Sequence, residues 1–334
     1  MLLATLSIIL GFVLLIKGAD WLVTGASSIA RRMRISELVI GLTVVSFGTS
    51  APELIVNIFA SFQGSADIAI GNIVGSNISN TLLILGITAI IAPLLVQRST
   101  VLKQIPFNLL AACTLFIMAN DMLVDGYAQS ELSRSDGLAF LAFFVIFLYY
   151  TFGIRHVGHE EEKDEHEKPK INVWVATSLV VLGCFGLAVG GKLVVDGAIT
   201  IARIWNVSEA FIGLTIVAIG TSLPELAASA VAAYKGRSDI AVGNIVGSNI
   251  FNIFWILGIS SVIKPLPFQP STNFDLLMVV LSTALLFFLV HNGKPHRRLI
   301  LWWRQSQDYI IRRWEGVILL SCYICYIAYI GWRG

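Results

Sequence analysis

The amino-acid sequence predicts an all-α membrane protein of ten transmembrane helices, built as two inverted five-helix repeats with a broken second helix in each half. Three observations carry that prediction. Hydrophobic residues make up 56% of the chain and charged residues only 13%, with a mean hydropathy of +0.79, whereas about a quarter of a typical soluble domain is charged. Apolar runs long enough to cross a bilayer, about 20 residues each, recur between short charged or Gly/Pro-containing joints. Two stretches are near copies in a register that never slips: GLTVVSFGTSAPELIVNIFASFQGSADIAIGNIVGSNISNTLLILG from Gly41 to Gly86, and GLTIVAIGTSLPELAASAVAAYKGRSDIAVGNIVGSNIFNIFWILG from Gly213 to Gly258.

The spans fall at about 2–24, 37–62, 68–92, 105–123, 136–153, 172–195, 209–234, 240–263, 273–291 and 315–332. A transmembrane β-barrel would instead alternate over segments of about 10 residues, a pattern this sequence lacks. The N-terminus, MLLATLSIILGFVLLIKGADW, has no basic stretch ahead of its apolar run, so it is expected to remain as the first helix rather than be cleaved. Lys and Arg concentrate in one of the two alternating sets of loops, among them Arg31, Arg32, Arg34, Arg98, Lys103, Lys235 and Arg237. The positive-inside rule then predicts a multi-pass protein of the cell membrane with both termini outside and residues 154–170 in the cytoplasm. Trp302, Trp303 and Trp314, interspersed with arginines, read as an interfacial belt on the cytoplasmic side. A net charge of +2 argues against a nucleic-acid partner and leaves membrane lipid as the surroundings. Cys113, Cys184, Cys322 and Cys325 all lie in apolar helices without His or carboxylate beside them, and read as small packing residues.

The repeat extends beyond the two copies. Ahead of them GASSIARRMRISELVIGLT answers GAITIARIWNVSEAFIGLT, and behind them an acid-Gly pair opens a span at Asp136 and again at Glu315. The duplicated unit is therefore five helices long, residues 1–153 and 171–334, joined by a charged connector at 154–170. His156, His159 and His166 in that connector read as part of a solvated segment. Five crossings reverse orientation, so equivalent residues of the halves meet about a pseudo-two-fold axis in the membrane plane.

The duplicated motif carries the chemistry. In GTSxPE, Pro52 and Pro224 lack an N–H and clash with the carbonyls of Gly48 and Gly220, which should break each second helix and free backbone oxygens. Thr49, Ser50, Thr221 and Ser222 add hydroxyls there. Broken backbone at membrane depth is tolerated only inside protein or along a watery cavity, so the motif implies a polar pocket. Glu53 and Glu225 follow each proline, and a membrane-buried acid costs roughly 2.5–3.5 kcal/mol on insertion scales. One such acid could be a capping or interhelical device; two, on inverted halves with hydroxyls and amides carried along, point to function. In GNIVGSNxxN, Gly71/Gly75 and Gly243/Gly247 allow close packing that brings Asn72, Ser76 and Asn80, with Asn244, Ser248 and Asn252, toward the glutamates. Every inward group offers oxygen, the donor set for hard cations such as Ca²⁺ or Na⁺. Two carboxylates balance one Ca²⁺ but repel each other when alone, so an empty site should resist reorientation and the ion must be exchanged for another. Protons are the other replacement, since a carboxyl withdrawn from water takes one up more readily.

Several charges read as structural. Asp67 and Asp239 are expected to cap the helices they open, and Lys17 with Asp20, and Lys192 with Asp196, to neutralise each other at helical spacing. An enzyme is not predicted: an intramembrane hydrolase needs a nucleophile with a base, and the one His near a predicted core segment is His291 at a helix end. A channel has no need of paired carboxylates that forbid empty reorientation.

GTSxPEL and GNIVGSN in both halves resemble the repeats of the calcium/cation antiporter superfamily, and the whole chain is similar to prokaryotic sodium/calcium exchangers. The resemblance implies alternating access, with the first and sixth helices sliding past an eight-helix core, no cofactor, and Ca²⁺ and Na⁺ as cargo. It also implies a ligand set: Glu53 and Glu225 with the carbonyls and hydroxyls of Thr49 and Thr221 for the divalent ion. For sodium it adds Ser50, Ser76, Asn80, Ser222 and Ser248 and the backbone oxygens of Ser46 and Ala218. Relatives often carry Asp at the place of Asn252; this chain has Asn there and at Asn80, which leaves H⁺/Ca²⁺ exchange as the alternative.

Overall fold

The computed structural model describes residues 1–153, 171–205, 218–291 and 309–333. The connector with its three histidines, the start of the seventh predicted span, and Trp302 and Trp303 lie outside them. The first half comprises α1 (Leu2–Met33), α2 (Glu37–Thr49), α3 (Ala51–Gln63), α4 (Ala66–Ile91), α5 (Thr100–Met118) and α6 (Arg134–Gly153). The second comprises α7 (Val173–Ile204), α8 (Ala218–Thr221), α9 (Leu223–Tyr234), α10 (Ser238–Ile263), α11 (Asn273–Val290) and α12 (Arg313–Arg333). Among the described residues eight helices are long and apolar enough to cross a membrane, and the bent pair α2–α3 makes a ninth.

The predicted break occurs in both halves at the same residue of the motif. Ser50 has φ −83° and ψ 6°, and Ser222 has φ −89° and ψ 4°, so each helix stops and restarts with proline in the first turn of the next. Between α2 and α3 the axis turns by 49°. α1 and α7 run past their predicted ends because Ala26 and Ala30, and Ala202, keep burying an apolar face beyond the first charged positions. Arg34 stops α1 in the left-handed region at φ 54°, its N–H returning to Ala30 and Arg31 carbonyls.

The halves interlock. α1 and α7 lie antiparallel with backbones in contact, and a Cβ on Gly18 would stand 2.9 Å from the Gly183 carbonyl oxygen. α6 packs on the end of α10 through Gly137 and Gly258, and α12 packs on the end of α4 through Gly316 and Gly86. Two short antiparallel ribbons pair one strand from each half: β1 (Leu94–Val96) with β4 (Tyr309–Ile311), and β2 (Ser130–Leu132) with β3 (Leu266–Phe268). Three-residue strands show no periodicity in sequence, which is why the reading lacked them.

Other expectations need correction. Asp67 and Asp239 are the second residues of α4 and α10, with Ser65 and Arg237 at the cap positions, so neither acid is an N-cap; each instead faces the positive end of its helix dipole. Asp239 accepts from Gln97 Nε2 at 2.6 Å. Asp20 pairs not with Lys17 but with Lys235, at 2.6 Å, because the turn after α9 brings a longer-range cation to it. Lys192 and Asp196 pair at 3.0 Å as expected. Cys184 packs against Gly48, whereas Cys325 is exposed on the outer face of α12 rather than packed.

Candidate functional site

Glu53 and Glu225 are each the third residue of the half-helix that restarts after the break, where backbone N–H groups lack intrahelical partners and the dipole favours an anion. Each is only 1% exposed, and the two carboxyls stand near enough to repel each other. The breaks themselves cross over: Ser50 Oγ, from the first half, donates to Glu225 Oε1 in the second at 2.9 Å. Thr49 Oγ1 donates to Asn244 Oδ1 at 3.0 Å, and Asn244 Nδ2 donates to Ser229 Oγ at 3.0 Å and to the Glu225 carbonyl at 3.4 Å. Ser46 Oγ donates to the Asn244 carbonyl at 3.0 Å, which seats α2 against α10 where Gly243 and Gly247 leave room.

Across the α4–α10 contact the amides form a reciprocal pair. Asn80 Nδ2 donates to Asn249 Oδ1 at 3.1 Å, and its repeat-equivalent Asn252 Nδ2 donates to Asn77 Oδ1 at 3.4 Å. Asn249 Nδ2 is in turn held by Thr81 Oγ1 at 2.9 Å. With the nitrogen ends engaged, Asn80 Oδ1 and Asn252 Oδ1 are buried without a hydrogen-bond partner among the described residues. Both asparagines sit where the helix widens to π geometry, over Ser79–Ile84 and Phe251–Leu257, a local change frequent at functional sites. The sequence reading missed Asn77 and Asn249, although both belong to the duplicated GNIVGSN motif and so carried a signal.

Seven residues expected at the site present a buried oxygen with no hydrogen-bond partner among the described residues: Glu53, Ser76, Asn80, Ser222, Glu225, Ser248 and Asn252. Leaving one such group unpaired costs about 1–3 kcal/mol, so a set of them requires an occupant that accepts lone pairs, a cation or ordered water. Thr49, Ser50 and Ser46 are buried beside them; the Ser46 carbonyl accepts from Ser50 N at 2.9 Å and from Thr49 Oγ1 at 3.3 Å. Thr221 and Ala218 lie in α8 at the repeat-equivalent positions of Thr49 and Ser46. Among the described residues no three His, Cys, Asp or Glu cluster, so the donor set is carboxylate, amide and hydroxyl oxygen. Asn72 departs from its mate: Asn244 is fully buried at the glutamate, whereas Asn72 is half-buried and bonds Asn57 Oδ1 at 2.7 Å. The repeat-equivalents of Leu38 and Leu42, which pack on Gly243 and Gly247, are residues 210 and 214, outside the described residues.

Paired broken helices that bring a carboxylate each to one oxygen-lined interior, on interlocked inverted halves, define a secondary transporter of cations. The chain belongs to the sodium/calcium exchanger protein family, which matches residues 3–153 and 175–332, one match in each half. It is 32% identical to the sodium/calcium exchanger MaX1 of Methanosarcina acetivorans over 97% of both chains. It is 26% identical to the Ca²⁺/H⁺ antiporter ChaA of Bacillus subtilis over 85% of this chain and 80% of that one. Among solved structures, the sodium-calcium exchanger NCX_Mj superposes with a TM-score of 0.80 at 34% identity, covering 98% of each chain.

Proposed function

We propose that this protein exchanges Ca²⁺ for Na⁺ across the cell membrane by alternating access. The observation that carries this reading is the coincidence between the unpaired buried oxygens and the ligand set read from the motif. Glu53 and Glu225 together balance one divalent ion, with Thr49 and Thr221 completing its shell. Sodium takes Ser50, Ser76, Asn80, Ser222, Ser248 and Asn252 and the carbonyls of Ser46 and Ala218. Asn77 and Asn249 turn the amide oxygens of Asn252 and Asn80 toward the ion, as outer-shell partners do at metal sites. With both termini outside, the packing of α1 on α9 closes the cytoplasmic end, and the ion enters from outside.

A second reading, H⁺/Ca²⁺ exchange, is favoured by the neutral amides at both Asn80 and Asn252 and by the likeness to ChaA. Purified protein in lipid vesicles separates the two. Calcium uptake driven by an outward sodium gradient at clamped pH is the expected result; uptake that follows an imposed pH gradient and ignores sodium would replace sodium with protons as the coupling ion.

A further inference from the structure

Away from the glutamates, a cavity of about 300 Å³ opens where the C-terminal part of α1, the start of α7 and the turn between α9 and α10 meet. Its polar wall holds Arg31 and Ser27 from α1 and Lys235 and Arg237 from the turn; Val23 and Ile171 make it partly apolar. Lys235 is paired with Asp20, and Arg237 with Glu37 at 2.8 Å, so those two cations are positioned and largely compensated. Arg31 has no ion pair among the described residues, so the described side chains that line the cavity carry a net positive charge. Ser27 borders the cavity and is 4% exposed, with its hydroxyl closed off from solvent. Ile171 lies two residues before the start of α7, next to its N-cap Asn172, and the dipole of this 32-residue helix adds positive potential.

The opposite end of the molecule does not repeat this arrangement. The repeat-equivalents of Lys235 and Arg237 are Gln63 and Ser65, and that of Thr24, which bonds Lys235 at 2.9 Å, is Asp196. Two of the three cations, Lys235 and Arg237, thus stand at one end only, whereas Arg31 is matched by Arg203 in the second half. An arginine fork, a lysine and a helix N-terminus around a partly apolar cavity are the recognition chemistry of a phosphate ester.

We infer that this cavity binds a phosphate ester, either a lipid headgroup or a soluble organic phosphate. The bound group bridges Arg31 on α1 to Lys235 and Arg237 on the core, and so ties the α1–α7 pair to the turn it already touches. The reading concerns binding and does not rest on which cation the glutamates carry.

The test uses the full chain in phosphatidylcholine nanodiscs, with two arms. In the first, phosphatidic acid is included and the copies retained per protein are counted by native mass spectrometry. In the second, glycerol 3-phosphate is added to lipid discs without phosphatidic acid, and binding is followed by ³¹P saturation-transfer NMR. Arg31→Gln should weaken whichever ligand binds by about fivefold, the worth of one Lys or Arg facing an anionic headgroup. Ser27→Ala, at a hydroxyl closed off from solvent, and Lys192→Gln, which removes an exposed cation at the other end, should not change it. Retention in the first arm alone identifies a membrane lipid, and saturable binding in the second identifies a soluble ester. Equal binding by wild type and Arg31→Gln in both arms, or equal loss in all three variants, overturns the site.

Discussion

The two ends of the α1–α7 pair differ, although the duplicated sequence would allow them to be alike. At one end α1 packs along α9, and Lys235 bonds both Asp20 and Thr24 of α1. At the other, α7 barely meets α3. The residues equivalent to Asp20 and Thr24 are Lys192 and Asp196; they pair with each other and stay 76% and 54% exposed, while Gln63 replaces Lys235. Ala227 and Val231 on α9 are half-buried, and their equivalents Ile55 and Phe59 on α3 are exposed. The centre, by contrast, preserves its chemistry in both halves: a glutamate, a serine and an asparagine with unpaired oxygen each. An inverted repeat keeps a common site at its middle and encodes the conformational state at its ends.

The symmetric centre gives the largest expected effects. Glu53→Gln and Glu225→Gln should each abolish calcium exchange in vesicles, by roughly 100-fold or more, since removing one buried charge partner costs on the order of 3–5 kcal/mol. Both should still reconstitute as folded protein, because the neutral amide is easier to bury than the acid. Unequal effects would break the equivalence of the halves, and normal transport by either variant would remove the ligand set. Next come the amides behind the site. Asn77→Ala and Asn249→Ala should each raise the calcium concentration for half-maximal exchange by about 10-fold or more, as loss of an outer-shell partner does at metal sites. An unchanged value would mean that Asn252 and Asn80 are held without them.

The centre was also the more legible part of the sequence. Glu53 and Glu225 stand out because a buried acid is costly, and Pro52 and Pro224 announce the break because proline cannot continue a helix. What escaped notice depends on rotation and distance that one helix cannot report. Asn77 lies one residue from Ser76, and only the arrival of Asn252 from the other half, together with the π widening after it, shows what it holds. Asp20 has Lys17 at helical spacing, yet its partner is 215 positions away. Asp67 and Asp239 looked like caps because a carboxylate one residue further in enjoys the same dipole.

Position 252 sharpens the comparison further. Asn252→Asp adds a third carboxylate on one side only, and we expect it to change sodium dependence or ion cooperativity by several-fold through one extra charge near the ion. Calcium flux and cooperativity identical to wild type would put this side chain outside the transport site, despite its unpaired oxygen.

The smallest effect is expected at the ends, where the comparison is most direct. The Lys235–Asp20 pair is partly exposed, with side chains 31% and 45% accessible, so it contributes no more than about 1 kcal/mol. Lys235→Gln, which copies Gln63 from the other half, should therefore move the balance between the two end states by up to about fivefold without altering the glutamates. Single cysteines at Val231 and Phe59, in a background without the four native ones, read that balance through alkylation by a water-soluble maleimide. Adding Lys235→Gln should speed labelling at Val231→Cys as α1 leaves α9, and slow it at Phe59→Cys as α7 covers α3. Opposite changes at the two positions are the required signature, since a local loosening around residue 235 would speed the first and leave the second alone.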